Sequence, residues 1–372
     1  MRILHVGNAE AFKNLEICRY FLERGYEIHY FSPFAPKKRL EGMRYHYPEK
    51  KIRTKVGILL NVLLLKRIVR RVKPALVHAH NVYGYGWIAA LARCSPLVIH
   101  AYGGDILPEQ MQNIKCYQFI LSKYAIRKAD RLIVTGQHMI SAVADNFGAN
   151  KDKIKLLSRG VDLEVFQPFS LTKKESLKAK YGIGTGDFVL LSPRYLFNSV
   201  YNIDIILKAV SRLKEEFPEI LLFQMHNHKE GEPCFRQMIE LIKEWGIEDR
   251  VRILRMVPMQ QMAEIYNLAD ICISVPSSDG FPVTVLEASA CKVPLIVSDL
   301  SYTKEWFECG KNGLVVKKGD DKALALAIGA LAKDYEKRRR FAEINFKKVH
   351  MQGDYRKCMA ELEKIYQEVA EK

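Results

Sequence analysis

The sequence lacks the features that would point to secretion, to a membrane span or to a redox centre. Its longest apolar run, from Gly57 to Leu65, is far shorter than the roughly 20 residues that a spanning helix needs. Its eight cysteines include no C-x-x-C pair, which argues against a zinc or redox centre and favours reduced thiols. The first residues read as a β-strand and lack the layout of a secretory signal. We therefore expect a cytoplasmic protein.

Acidic residues are outnumbered by basic ones. The 42 Asp and Glu residues stand against 58 Lys and Arg residues, which gives a formal charge of +16 over 372 residues. Such a surplus attracts nucleic acid, anionic bilayers or phosphorylated substrates, and charge alone does not choose among them. A content of 48% hydrophobic and 27% charged residues is typical of a folded chain. The length favours two domains.

Short apolar segments alternate with amphipathic helical stretches, which predicts parallel sheets with helices on both faces. The predicted strands are 3–6, 28–31, 76–78, 97–100 and 132–134 and, after a polar stretch at 167–174, 188–192, 221–224, 251–254, 271–275 and 295–297. From Asp320 onward the pattern is helical. The fold class is therefore α/β, with two Rossmann-like domains in tandem. We predict domains at 1–168 and 175–345 and a helix at 346–372 that returns to the first domain.

The segment from Lys50 to Lys73 predicts a basic amphipathic helix. Basic and apolar side chains fall on opposite helical arcs: Lys66, Arg67, Arg70 and Arg71 against Leu65, Ile68, Val69 and Val72. One interpretation is a helix that packs on the N-terminal sheet and leaves a solvated basic face. The other is a helix that lies on an anionic membrane surface. The two interpretations are compatible.

The loop from Ser278 to Ala288 carries the strongest chemical signal. It follows a predicted strand and turns into a helix, where free N–H groups at the helix N-terminus point at a bound phosphate. Gly280 permits the tight turn, and the backbone from Val283 to Val285 supplies amides. Glu287 is placed to accept hydrogen bonds from a diol such as ribose.

This loop resembles the E-x7-E motif of the family 4 retaining glycosyltransferases of the GT-B fold, also called glycosyl transferases group 1. Asp279 and Glu287 occupy the two acidic positions, with Gly280 and Phe281 between them. Other landmarks follow in the family's order: Leu157 to Asp162 with Phe166 and Pro168, Ala290 to Pro294, and Asn312 to Val316. Asp279 replaces a Glu and Lys292 replaces a Gly. The resemblance implies two Rossmann-like domains that face each other across a cleft.

The resemblance also implies a donor site in the C-terminal domain. Its residues hold the ribose (Glu287), meet the sugar and diphosphate (Asp279 and the backbone of Phe281, Pro282, Val283 and Thr284), and grip the diphosphate (Arg194). The family's companion Lys is here Ser199, and Asn202 follows it as a variant donor residue. Val257 borders the base by position. Gly7 stands in a first loop that lacks the family's Gly-Gly pair.

In the N-terminal half, the segment from Val98 to Asp105 resembles the family's His-Gly-Ser-Asp element. Tyr102 replaces the usual His, and His100 points to the same face of an extended strand, so either is a candidate for contact with the transferred sugar. A core role for His100 and a turn cap for Asp105 are the alternatives. The pairs His78 with His80 and His226 with His228 lack a third ligand nearby, so we expect no metal.

The implied reaction moves a hexose-type sugar from a UDP- or GDP-linked donor to an acceptor hydroxyl with retention, without a metal. The diphosphate oxygen that departs helps to deprotonate the acceptor, so the protein contributes positioning and electrostatics. We expect a glycan or lipid-linked acceptor in polysaccharide or glycolipid assembly, a site of action in the cytoplasm or at the inner face of the plasma membrane, and no nucleic acid. The alternatives are an epimerase or phosphorylase-like enzyme of the same fold, and a catalytically silent sugar-nucleotide or nucleic-acid binding protein.

Overall fold

The computed structural model describes residues 1–49, 55–107, 114–229 and 231–371. Contacts divide the chain into two compact units, Met1–Ser158 with Lys357–Lys372, and Arg159–Arg356. Residues 159–168, which the sequence assigns to the first domain, make their contacts within the second unit. Phe166 is buried in that unit's core, and Val161 forms an isolated bridge with Asp354.

The first unit is built on a parallel sheet of seven strands in the order β3-β2-β1-β4-β5-β6-β7. Its strands are β1 (Arg2–Val6), β2 (Glu27–Phe31), β3 (Arg44–His46), β4 (Leu76–His80), β5 (Leu97–Ala101), β6 (Arg131–Val134) and β7 (Ile154–Leu156). Its helices are α1 (Phe12–Glu23), α2 (Lys55–Val72), α3 (Trp87–Leu91), α4 (Cys116–Lys128) and α5 (Gln137–Phe147). Strands β4 and β5 are buried along their whole length, because helices cover both faces of a parallel sheet.

The second unit repeats this plan with a parallel sheet of six strands in the order β10-β9-β8-β11-β12-β13. Its strands are β8 (Phe188–Ser192), β9 (Ile220–His226), β10 (Val251–Arg255), β11 (Ile271–Ser274), β12 (Leu295–Ser298) and β13 (Leu314–Val316). Its helices are α6 (Leu171–Lys180), α7 (Ile203–Leu213), α8 (Pro233–Glu244), α9 (Met259–Leu268), α10 (Val283–Ala290), α11 (Ser301–Trp306), α12 (Asp321–Lys333) and α13 (Tyr335–Gln352). The α/β class with two Rossmann-like domains is thereby confirmed.

Helix α14 (Tyr355–Ala370) is the last element, and its residues from Lys357 belong to the first unit. Glu363 on this helix bonds with three side chains of the first unit: Tyr20, Arg24 and Tyr26. The hydroxyl of Tyr366 is hydrogen-bonded to Nδ1 of His78 on β4. The helix therefore completes the packing of the first sheet.

Helix α2 carries the basic arc predicted from the sequence. Leu65, Ile68 and Val72 are buried in the core of the first unit, and Arg67, Arg70 and Arg71 are exposed. The first residues of the predicted segment, 50–54, lie outside the described residues. None of the helices in the described part of the chain is long and apolar enough to cross a bilayer. The burial of Leu65, Ile68 and Val72 confirms the packing interpretation of this helix.

The order of the strands places one crevice in each unit. The direction of crossover reverses between β1 and β4 in the first sheet and between β8 and β11 in the second. In open parallel sheets, ligands bind outside the carboxyl ends of the strands at this switch point. These two places are therefore where functional side chains are expected.

Candidate active site

The switch point of the second unit holds a partly buried ion pair. Arg194 follows the end of β8, and Asp279 lies in the loop after β11, the neighbouring strand. Their Nη2 and Oδ2 atoms are 2.7 Å apart, and the two side chains are only 12% and 17% exposed. Two residues that are far apart in the sequence are thus brought together by the strand order, as the family resemblance requires.

Aromatic and hydroxyl groups hold the Arg194 guanidinium in place. It lies over the ring of Tyr201, 5.1 Å from the centroid, and Nη2 is 3.4 Å from Oγ of Ser274. Burial disfavours the charge, but Asp279, Tyr201 and Tyr302 together outweigh it and keep the pKa of Arg194 above its usual value. The same surroundings, burial first and then the Asp279 charge, raise the pKa of Tyr302. Arg194 is therefore a fixed cation at every physiological pH.

Helix α10 begins directly after this pair. Pro282 precedes its first residue, and no side chain caps the helix or places an acidic group in its first turn. The N–H groups and the positive end of the helix dipole are thus not neutralised there by a carboxylate, which favours an anion. Gly280 is buried and is not among the residues with positive φ, so the turn does not use a left-handed glycine at this position.

The rest of the predicted donor loop is braced by aromatic packing. The Phe281 ring meets Trp306 and Tyr302 edge-on, at centroid distances of 5.3 and 5.8 Å. Val283 and Thr284 form the half-buried start of α10. The loop conformation that carries the amides is therefore set by a rigid aromatic wall.

Glu287 lies within α10, where the residue is 8% exposed. Its Oε2 accepts a hydrogen bond of 3.0 Å from the hydroxyl of Tyr266. Burial first, and then the charge of Glu287, raises the pKa of Tyr266 well above its usual value, so the hydroxyl keeps its proton. A carboxylate that is oriented in this way can accept hydrogen bonds from a pair of hydroxyls.

The side chain of Asn202 is hydrogen-bonded within the protein on both of its polar atoms. Its Nδ2 donates to the carbonyl of Val275 at 2.9 Å, and its Oδ1 accepts from the hydroxyl of Ser277 at 3.0 Å. The residue is buried and left-handed, with φ of 51°. It therefore ties the loop after β8 to the loop after β11. Val257 lies half-buried after β10, packed against the core.

The first unit brings three other predicted residues to its own switch point. Gly7 ends β1, and a Cβ added there would lie 2.6 Å from Oη of Tyr30 and 3.1 Å from the ring of His80. The Tyr102 hydroxyl is hydrogen-bonded to Nδ1 of His80 at 2.9 Å. The His100 ring, 1% exposed, lies 4.4 Å from the Tyr102 ring. A side chain at Gly7 would therefore clash with Tyr30 and crowd His80, which explains the glycine at this position.

Asp105 organises the loops above these residues. Its carboxylate accepts the N–H groups of Val82 at 2.7 Å and of Tyr102 and Gly103 at 3.1 Å. Burial raises the pKa of Asp105 above its usual value, and the backbone hydrogen bonds oppose this shift. The carboxylate is thus used by the backbone as a loop anchor.

The sequence interpretation missed the aromatic residues that hold these groups. Tyr201, Tyr266 and Tyr302 have no spacing relative to Arg194 or Glu287 that marks them as partners. Strand order supplies a partial signal for Tyr201, since it falls in the loop that leaves β8 at the switch point. Tyr266 and Tyr302 come from helices α9 and α11, whose packing the sequence alone does not specify.

Family models match most of the chain. Residues 173–348 match the model described as Glycosyl transferases group 1, and residues 14–165 match Glycosyltransferase Family 4. The chain belongs to glycosyltransferase family 4. The two matched segments correspond to the two Rossmann-like domains. The motif around Asp279 and Glu287 lies in the segment 173–348, in the second unit.

The relatives of this glycosyltransferase have low sequence identity but match more than half of the chain. N-acetyl-alpha-D-glucosaminyl L-malate synthase from Bacillus anthracis is 24% identical over 95% of this chain and 92% of its own length. D-inositol 3-phosphate glycosyltransferase from Corynebacterium urealyticum is 26% identical over 60% of this chain, which spans about half (53%) of that relative.

Solved structures match nearly the whole chain. Sucrose-phosphate synthase from Thermosynechococcus elongatus superposes with a TM-score of 0.84 at 17% identity and covers 99% of this chain and 98% of its own. HepE from Anabaena, crystallised with UDP and glucose, has a TM-score of 0.83 at 18% identity and covers 99% of this chain and 100% of its own. The GT-B fold of this glycosyltransferase is thereby confirmed.

Proposed function

We propose that the protein transfers a hexose-type sugar from a nucleotide diphosphate donor to an acceptor hydroxyl, with retention at the anomeric carbon. One observation carries the proposal: the partly buried Arg194–Asp279 pair lies at a switch point, in front of an uncapped helix N-terminus. A cation that is fixed where a diphosphate leaves stabilises the charge that grows on the leaving group. The structure of HepE with UDP and glucose supports the same class of donor.

Each residue has a distinct role in this proposal. Arg194 and the first N–H groups of α10 hold the diphosphate, with Arg194 exchanging the Asp279 carboxylate for phosphate oxygens. Asp279, once released, accepts hydrogen bonds from the sugar. Glu287, oriented by Tyr266, holds the ribose hydroxyls. Because Arg194 already supplies the positive charge, we propose that the donor site works without a metal.

Retention follows if the acceptor attacks the face that the diphosphate leaves. The departing phosphate oxygen then takes the proton of the acceptor hydroxyl, and no protein base is needed on the opposite face. The protein contributes fixed charges and positioning, which lower the barrier without covalent chemistry.

The acceptor is proposed to carry negative charge. The chain has a formal charge of +16, and two relatives are named for L-malate and D-inositol 3-phosphate, both acids. A lipid-linked acceptor at a membrane surface is the second candidate. It is favoured by Leu59, Leu60 and Leu63, which are 60%, 44% and 46% exposed on the same helix as the basic arc.

The donor proposal is tested by thermal shift with UDP-, GDP- and ADP-sugars. We expect one nucleotide class to raise the melting temperature of the parent, and a much smaller rise in Arg194→Ala and Glu287→Ala. Arg212→Ala is the matched control, since Arg212 pairs with Asp321 on the surface of the same unit. No shift with any donor, or equal shifts in all variants, would sink the proposal. The anomeric configuration of the product, read by NMR, tests retention.

The two acceptor candidates are separated by two measurements. Product formation with L-malate or inositol phosphate supports a small acid. Sedimentation with vesicles of anionic lipid, compared with neutral vesicles, tests whether the protein binds an anionic membrane surface. Equal sedimentation with both vesicle types would remove the main support for a membrane acceptor.

A further inference from the structure

Three buried histidines meet on one face of the first sheet. His5 on β1 pairs in register with His78 on β4, and His80 lies two residues further along the same strand, so all three side chains point to the same face. Each is fully buried. The sequence shows only the pair on β4, because His5 comes from a strand that is distant along the chain.

The ring nitrogens of this cluster are spaced for a shared ligand. One nitrogen from each ring lies within 4.8 Å of the other two, and Nδ1 of His5 is hydrogen-bonded to Nε2 of His80 at 3.0 Å, a contact that a bound ion would replace. Two nitrogens that bind one tetrahedral zinc ion at about 2.0–2.1 Å are separated by about 3.3 Å. The cluster is therefore close to the spacing of a three-histidine site.

Two tyrosines support the rings from outside the cluster. The hydroxyls of Tyr366 and Tyr102 are hydrogen-bonded to Nδ1 of His78 and of His80, respectively. When these oxygens accept the Nδ1–H groups, the proton stays on the outer nitrogen and the lone pair on Nε2 is directed inward. Such outer partners fix the tautomer of metal-binding histidines.

We propose that His5, His78 and His80 bind one divalent transition-metal ion, with zinc preferred. Three imidazoles suit zinc, copper or nickel, whereas magnesium and calcium take oxygen ligands. Three protein ligands leave one tetrahedral position for water or an anion. The ion would join β1 to β4 and hold the His80–Tyr102 pair. This site is in the first unit and does not depend on the proposed sugar transfer.

A second histidine pair in the same unit offers a control. His29 and His46 are hydrogen-bonded at 2.8 Å, and His29 also contacts Glu27 at 3.1 Å. Glu27 is already paired with Arg2 and Arg44. This pair lies on neighbouring strands β2 and β3, and it does not form a group of three ligands within the part of the chain that the structure describes. His29→Gln therefore changes a buried histidine without touching the proposed site.

The test loads the full chain, stripped with a chelator, with Zn²⁺ or Co²⁺ and measures the metal retained after gel filtration. We expect about one ion per chain in the parent and in His29→Gln, visible bands of tetrahedral cobalt, and loss of both signals in His5→Gln and His80→Gln. Tyr366→Phe should weaken zinc binding about 10- to 100-fold, because it removes an outer partner.

One more variant keeps the test decisive if a glutamine variant fails to fold. His5→Cys retains a metal ligand, so its cobalt complex should gain a thiolate charge-transfer band in the near ultraviolet. No retained metal in the parent would overturn the proposal. So would equal retention in the parent and in a folded His5→Gln, since the ion would then be held elsewhere, or a cobalt complex of His5→Cys without the thiolate band.

Discussion

The two units build the amino ends of their sheets in the same way. In the first, Asp130 donates its N–H to the carbonyl of Leu97 and accepts the N–H of Leu97 on its carboxylate, both at 2.8 Å. In the second, Asp270 makes the same two contacts with Val189, also both at 2.8 Å. Each Asp follows an alanine that ends a helix and precedes a strand. This repeated Ala-Asp is an internal repeat too short to be detected by sequence alone.

The units also end a helix alike before the next strand. Arg93 after α3 and Lys292 after α10 both have φ of 56°, and each stands a few residues before a Pro-Leu pair that begins a strand. Lys292 occupies the position where the family has glycine, and its left-handed backbone explains that preference. The basic residues are thus tolerated at the same turn in both units.

The carboxyl ends of the two sheets differ. The first unit gathers buried imidazole rings there, those of His5, His78 and His80 among them, whereas the second unit holds the Arg194–Asp279 pair. The comparison teaches that the shared scaffold sets where a site lies and that the residues at the strand ends set its chemistry. The second unit places the Arg194 cation at this edge, and the first unit places hydrogen-bonded imidazole rings there.

The largest expected effect comes from removing the positive charge of Arg194. Arg194→Ala should lower the rate of sugar transfer by about 10²- to 10³-fold, the usual loss when one group that stabilises a leaving charge is removed. Steady-state kinetics with the donor identified by thermal shift measures it. Arg212→Ala should keep the parent rate, and a similar loss in both variants would place the effect in the stability of the unit.

The second effect concerns the carboxylate that the first unit uses for structure. Asp105→Ala should leave three backbone N–H groups without their acceptor and lower the free energy of unfolding by about 3 kcal/mol. For a unit of this size that is a fall in melting temperature of about 6–12 °C. Asp130→Ala, which removes one such bond, should cost about 1 kcal/mol. Equal losses would contradict the anchoring role of Asp105.

Most of the strands and part of the candidate site could be predicted from the sequence. The apolar runs identified ten strands, because buried parallel strands are continuous hydrophobic segments. The three-residue strands β3, β7 and β13 were missed, since Arg44–His46 and the other two are too short to show a pattern. The motif singled out Arg194 and Asp279, which the structure brings to within 2.7 Å of each other, and Glu287, which lies on the helix that follows. The partners Tyr201, Tyr266 and His5 required the fold, because only strand pairing and helix packing bring them near.

The third effect is a dependence on pH that belongs to the first unit. Burial first, and then the charges of His29, Arg71 and Arg44, lowers the pKa of His46 from 6.5 to about 4. The unfolded chain therefore binds this proton first, and stability present above pH 6.5 is lost as the pH falls toward 4.

His46→Gln should flatten the curve of unfolding free energy against pH in this window, measured by urea denaturation. Glu27, which contacts His29, has its pKa lowered to about 2, first by its hydrogen bond with His29, so its loss of stability comes at lower pH. Parallel curves for the parent and the variant between pH 6.5 and 4 would contradict the assignment.

The smallest effect tests the shared turn. Lys292→Gly should be more stable than Lys292→Ala by about 1 kcal/mol, because alanine keeps the cost of the left-handed backbone and glycine does not. Both variants lose the pair with Glu343 at 2.7 Å, so that loss cancels. Arg93→Gly and Arg93→Ala should differ in the same direction. Thermal melting measures both pairs, and a difference in one unit alone would break the equivalence of the two turns.

The place of helix α14 has a consequence for the order in which the protein is made. Residues 159–356 form the second unit without interruption, whereas the first unit needs Lys357–Lys372. At about 5–20 residues per second, a ribosome takes roughly 10 to 40 s to add the intervening segment. During that time the emerging first sheet lacks Tyr366 over its histidines and Glu363 beside α1. The half that is synthesised first is thus completed last.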